Sequence, residues 1–99
     1  MAFVYIVECS DGTYYTGATV DLESRLVKHN AGSGAKYTRG RTPVELVFAY
    51  SAETFSAACK YEYRIKKLTK TKKEMLVDLY ANGKTAEIDK MLKELGICP

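Results

Sequence analysis

The chain has 99 residues, of which 46% are apolar and 27% charged, which excludes a disordered or low-complexity segment and bounds it to one modest core. Net charge is +3 with a single histidine and three widely spaced cysteines, a pattern that argues against a disulfide framework or a cysteine/histidine zinc site and for reduced thiols. No stretch reaches the roughly 18 apolar residues of a membrane span, and the N-terminus lacks a basic start, so a cytoplasmic location without a membrane partner is expected.

Residues 3–9, rich in β-branched and aromatic types, predict a first strand. Ser10-Asp11-Gly12 has turn chemistry, and Thr13 to Gly17 returns to strand composition. Loop length fixes which side chains share a face. A two-residue loop pairs Glu8 with Tyr15 and separates Tyr5 from Tyr15, whereas a three-residue loop with Gly12 left-handed pairs Tyr5 with Gly17 and puts both tyrosines on one face. The second register is favoured because Gly12 falls where such a loop wants a glycine.

Asp21 is placed to cap a helix from Leu22 to about Ala31, stopped by Gly32 and Gly34. On it, Arg25 and His29 lie one turn apart at the border of the Leu22/Leu26 stripe. Lys36-Tyr37-Thr38-Arg39-Gly40-Arg41 follows, basic with an interleaved aromatic, and Lys36, Arg39 and Arg41 are the candidate phosphate contacts. A solvated charged loop is the competing reading. Val44 to Tyr50 predicts a third strand, and Thr54 can cap a helix over Phe55 to Leu68. Thr71-x-x-Glu74 has the form of a capping box opening a further helix that ends at Asn82-Gly83, and Ile88, Met91, Leu92 and Leu95 suggest a last short helix. Three strands with helices give an α+β fold, a three-stranded antiparallel sheet flanked by helices.

Glu62 is the residue that demands an explanation. At 3.6 residues per turn, Phe55, Ala58, Cys59 and Glu62 share one helix face, and that face is otherwise apolar. A carboxylate there needs a cation beside it, either a metal or a basic side chain. Lys66, four residues on, supplies the bland answer, an i,i+4 ion pair without function. Taken with Tyr5, Tyr15, Arg25 and His29 from other elements, Glu62 suggests a site that cleaves a phosphodiester.

Phe3-Val4-Tyr5, Tyr15-Thr16-Gly17, Arg25, His29-Asn30 and Glu62, in that order, resemble the signature of the GIY-YIG endonuclease superfamily. The runs Tyr14 to Asp21 and His29 to Ala35 are similar to its small single-domain bacterial branch, the YhbQ type. The resemblance spans residues 3–77, with C-terminal helices about 72–95; many family nucleases also carry a separate DNA-recognition domain, but 99 residues leave no room for one, and a single domain over 1–99 is expected. The resemblance further implies a divalent metal, Mg2+ or Mn2+, on Glu62, Tyr5 taking a proton from the attacking water, Arg25 stabilising phosphorane-like charge, and Tyr15 and His29 positioning phosphate and water. The sequence departs from the pattern in having Phe3-Val4 for Gly-Ile, Thr16 for Ile, and lysines and Glu74 where relatives carry an Asn beyond the glutamate.

The chemistry has the same minimum requirements without the family name. Hydrolysis of an anionic diester needs a base, a Lewis acid and a positive clamp. Glu62 with its metal and Arg25 supply two of these. Either Tyr5, with an ordinary pKa of about 10, or His29, at about 6.5, supplies the base. The expected function is a metal-dependent DNA endonuclease of repair or recombination, with a protein partner conferring selectivity. Two alternatives stand beside it: a nucleic-acid-binding module with a vestigial site, and a small interaction domain in which Glu62 only pairs with Lys66.

Overall fold

The computed structural model describes residues 1–99. Strands β1 (Ala2–Glu8), β2 (Tyr14–Thr19) and β3 (Glu45–Ala52) form one antiparallel sheet in the order β2-β1-β3. Helices α1 (Leu22–Asn30), α2 (Phe55–Lys66), α3 (Lys70–Ala81) and α4 (Thr85–Glu94), with a 3-10 turn at Lys36–Thr38, complete an α+β fold of the expected class.

The β1–β2 hairpin takes the register that its glycine favours. Tyr5 pairs with Gly17 and Val7 with Tyr15, and Gly12 has φ of 83°, a conformation that glycine adopts without steric cost. Strict alternation then sorts β1 onto two faces. Val4 and Ile6 face a core with Phe48, Ile65, Leu76, Ile88 and Leu92, which α2, α3 and α4 close. Tyr5 and Val7 point the other way, into a smaller cluster with Val44 against which Tyr15, Leu22 and Leu26 pack. One face therefore supplies stability, and the other, under α1, carries the chemistry-bearing side chains.

Local chemistry sets the ends of α1. Asp21 accepts the Ser24 amide at 3.1 Å as N-cap. At the other end Gly32, with φ of 80°, and Ser33 donate back to the His29 and Lys28 carbonyls, a Schellman closure. Beyond it Asn30 clamps the start of β3, donating Nδ2 to the Val44 carbonyl at 3.2 Å and accepting the Val44 amide at 2.7 Å.

Three expectations need correction. The third strand runs two residues further than Tyr50, to Ala52, because Ala2 and Phe3 of β1 extend the ladder to Ala52 and Ser51. The N-cap of α3 is Thr69, which accepts the Lys72 amide at 3.2 Å, so Thr71 lies inside the helix and its capping box does not form. Leu68 still bonds back to Ile65 in the last turn of α2, and Thr69, with extended backbone, is the residue that opens α3. Finally, α2 buries Ala58 and Ile65, while Phe55 is 50% exposed. Glu62 therefore stands at the edge of the buried stripe, not within it.

Candidate active site

The site grows from one close approach. Tyr5 lies over Gly17 of the neighbouring strand so tightly that a Cβ on residue 17 would meet the phenol oxygen at 2.5 Å. This brings the Tyr5 hydroxyl under α1, 2.8 Å from His29 Nε2, and both residues are fully buried. Arg25, one turn earlier on α1, donates Nε to the same phenol oxygen at 3.4 Å. Tyr15 closes the other side, its ring 5.4 Å from the imidazole and stacked at 6.0 Å on Tyr37.

His29 is gripped from behind by residues that the sequence did not single out. Its Nδ1 is 2.8 Å from Thr38 Oγ1, and Thr38, itself buried, donates its hydroxyl to the Ala35 carbonyl at 2.9 Å. A Cβ on Gly34 would fall 2.5 Å from the same Nδ1. Gly34 is thus more than a helix stop; the signal for it was a second glycine after Gly32 had already ended the helix. Thr38 left no sequence signal, since a short 3-10 turn has no periodicity and its contact with His29 is made in three dimensions only.

The electrostatics follow from burial. Burial pushes the Tyr5 phenol above its ordinary value, and the hydrogen bond and charge of Arg25 pull it part of the way back. Burial, reinforced by the Arg25 charge, pushes His29 down, so the imidazole is neutral at neutral pH and can accept a proton. Arg25 is held still more firmly charged by the Tyr5 hydroxyl.

Glu62 reaches the same locality from α2, close enough that its charge is felt at the Tyr5 phenol. Its carboxylate is bound to Lys66 Nζ at 2.9 Å, with side-chain exposures of 21% for Glu62 and 50% for Lys66. No cluster of three or more His, Cys, Asp or Glu side chains exists that could cage a metal. A lone carboxylate nevertheless suits magnesium or manganese, hard cations that keep several waters and take their remaining oxygens from a substrate phosphate. The donor set fits such an ion on Glu62, with Lys66 as the competing cation.

The structure thus brings Tyr5, Tyr15, Arg25 and His29 together and sets Glu62 beside them. The basic loop divides. Lys36 and Arg39 are exposed and make no ion pair, whereas Arg41 is engaged at the surface, bonded to Asp11 at 3.0 Å and to the Tyr37 carbonyl at 2.7 Å, with its guanidinium 4.2 Å from the Tyr37 ring centre. Beside Arg25 an open cleft of about 450 Å³, lined by Thr19, Ser24, Lys28 and Phe55 among others, leaves room for a strand to approach.

A family model described as the GIY-YIG catalytic domain matches residues 1–75. Among curated proteins, the UPF0213 protein YazA of Bacillus subtilis is 47% identical, with 94% of each chain covered. A UPF0213 protein of Halobacterium salinarum is 58% identical over 77% of this chain and 99% of its own. The solution NMR structure of the UPF0213 protein BH0048 from Bacillus halodurans is 49% identical and superposes with a TM-score of 0.51, covering 80% of this chain and 85% of the other. With three quarters of its length matched and its fold shared, the chain belongs to the GIY-YIG family, as a small member of that nuclease superfamily.

Proposed function

We propose that the protein is a divalent-metal-dependent endonuclease that hydrolyses DNA phosphodiester bonds, in repair or recombination. The observation that carries the reading is the buried Tyr5–His29 hydrogen bond with Arg25 on the same phenol oxygen. A buried polar network of this kind is costly unless every member is satisfied. Here it is satisfied in the order needed to move a proton, with a cation alongside for developing negative charge.

The two candidate bases work in series. The Tyr5 oxygen accepts from Arg25, donates to His29, and keeps a lone pair for a water. As the water gives its proton to Tyr5 Oη, the phenolic proton passes to His29 Nε2, and the hydroxide forms its bond to phosphorus while the bond to the leaving oxygen breaks. That oxygen takes its proton from solvent. Tyr5 by itself cannot serve as the base at neutral pH, since burial raises its pKa and keeps it protonated; the neutral imidazole behind it gives the phenolic proton a place to go. Arg25 neutralises the phosphate oxygens, and Tyr15 orients the imidazole through edge contact. Glu62 would hold the metal, which supplies Lewis-acid stabilisation of charge on the phosphate when bound. Exposed Lys36 and Arg39 are suited to backbone phosphates outside the reacting centre.

No helix is long and apolar enough to cross a membrane, and all three cysteines are free, which fits action on nucleic acid in the cytoplasm. The Glu62–Lys66 pair favours one second reading, a nucleic-acid-binding module in which Lys66 permanently fills the cation place. Plasmid and branched DNA incubated with the protein in magnesium or in chelator separate the two. Magnesium-dependent cleavage that Glu62→Gln abolishes supports the nuclease; a metal-independent mobility shift without cleavage supports the binding module.

A further inference from the structure

His29 offers two neutral tautomers, and only one can take a proton from Tyr5. If the ring proton is on Nδ1, the Nε2 lone pair faces the Tyr5 hydroxyl; if it is on Nε2, the phenol oxygen accepts from the ring instead, and no lone pair is left there to take its proton. The choice is made on the far side of the ring. Thr38 has a single hydroxyl proton, and the Ala35 carbonyl, 2.9 Å away and able only to accept, is a partner that engages it. The Thr38 oxygen, 2.8 Å from His29 Nδ1, is left with lone pairs only on that side. Gly34 leaves room for the ring in this position, since a Cβ there would fall 2.5 Å from Nδ1.

We propose that Thr38 is a positioning residue that fixes His29 in its Nδ1–H tautomer and so aims the Nε2 lone pair at the Tyr5 hydroxyl. Its catalytic consequence rests on the nuclease reading above, but the tautomer itself does not. Partners of this outer kind, which orient an imidazole through its second nitrogen, are typically worth about 10- to 100-fold in activity where they have been removed from metal-bound histidines. The sequence that delivers Thr38 also delivers Lys36 and Arg39, one residue or two away on the same turn. The turn that fixes the tautomer is therefore the one whose cations are offered to the substrate backbone.

His29 is the only histidine, so a histidine-specific nitrogen label reports on this ring alone. Nitrogen NMR of the protein without DNA or metal should show a protonated Nδ1 and an unprotonated Nε2 at neutral pH. In Thr38→Val, which keeps shape and removes the acceptor, the ring should shift toward the Nε2–H tautomer. Single-turnover cleavage in magnesium should fall about 10- to 100-fold, with DNA affinity measured in chelator unchanged. Thr38→Ser should restore both the tautomer and the rate. A wild-type ring protonated on Nε2 overturns the proposal, as does a Thr38→Val protein that loses cleavage with its tautomer unmoved. If wild type cleaves nothing, the nuclease reading fails while the ring measurement still decides the tautomer; if Thr38→Val does not fold, the wild-type ring and Thr38→Ser decide it.

Discussion

Gly17 serves the site by what it lacks. The Tyr5 ring crosses β2 where any side chain would collide with it, so the hydrogen bond to His29 depends on a missing Cβ. Gly17→Ala should cost about 1–3 kcal/mol as an overpacking strain and reduce cleavage by at least about 100-fold through the lost proton path. Denaturant melts and cleavage assays on the same preparation check both; an alanine variant that keeps its activity would mean Tyr5 is not aimed by this contact. His29 makes a second prediction at this scale. Its folded pKa is depressed, first by burial and then by Arg25, below the unfolded value of about 6.5. In the window between them the unfolded chain binds a proton that the folded chain refuses, so the stability contributed by neutral His29 is complete above about pH 6.5 and drains away as pH falls. The stability gap between wild type and His29→Gln should narrow from pH 7.5 toward pH 5, roughly the span in which histidine titrates. A gap that stays constant in denaturant melts across that range would contradict the burial argument.

The helices show which parts of the molecule are legible in a sequence and which are not. The α1 boundaries and the hairpin register were readable because single residues, Asp21, Gly12 and Gly32, each have a local reason to sit where they do. Arg25 and His29 followed from one-turn spacing. What α2 buries was not readable, because a stripe of four residues does not say which of them meets the sheet; Ala58 and Ile65 do, and Glu62 borders them. Nor was the start of α3, where two threonines compete and the tail of α2 decides for Thr69. That decision is testable: Thr69→Ala should destabilise by about 0.5–2 kcal/mol as a lost N-cap, and Thr71→Ala should cost far less. Equal losses in urea midpoints would restore the capping box. For Glu62→Gln the two roles of the carboxylate separate cleanly. A partly exposed i,i+4 pair is worth only about 0.2–0.5 kcal/mol, so the melt should barely move, whereas metal-dependent cleavage should disappear. Unchanged cleavage with an unchanged magnesium titration would leave Glu62 as a salt-bridge residue and nothing more.

At the scale of the whole molecule, a net charge of +3 understates how unevenly the cations are available. Arg41 is spent on Asp11 and the Tyr37 carbonyl, Arg64 on the Ile97 carbonyl, Lys66 on Glu62, and Lys70 on the Gly12 carbonyl. Apart from the Lys66–Glu62 pair within α2, these bonds tie the hairpin loop, the basic loop and the C-terminus together or to the helices. The exposed Lys36 and Arg39 have no such duty, although they lie in the same short basic segment as Arg41. Composition alone treats the three as equivalent phosphate contacts; the structure separates them by partner. Each phosphate neutralised on duplex DNA contributes about 0.9 to the slope of log affinity against log salt. Replacing Lys36 and Arg39 together by Gln should therefore lower that slope by about 1.8 without shifting the melt. Arg41→Gln should do the reverse: it removes a charge that Asp11 already compensates, leaves the slope nearly unchanged, and loosens the turn that seats Thr38 behind His29. Fluorescence anisotropy in chelator across several salt concentrations, with Glu62→Gln as the background to prevent cleavage, measures both. A slope loss for Arg41→Gln equal to that of each exposed cation would show that Arg41 leaves Asp11 for the substrate, and the division of the loop into structural and binding cations would fall.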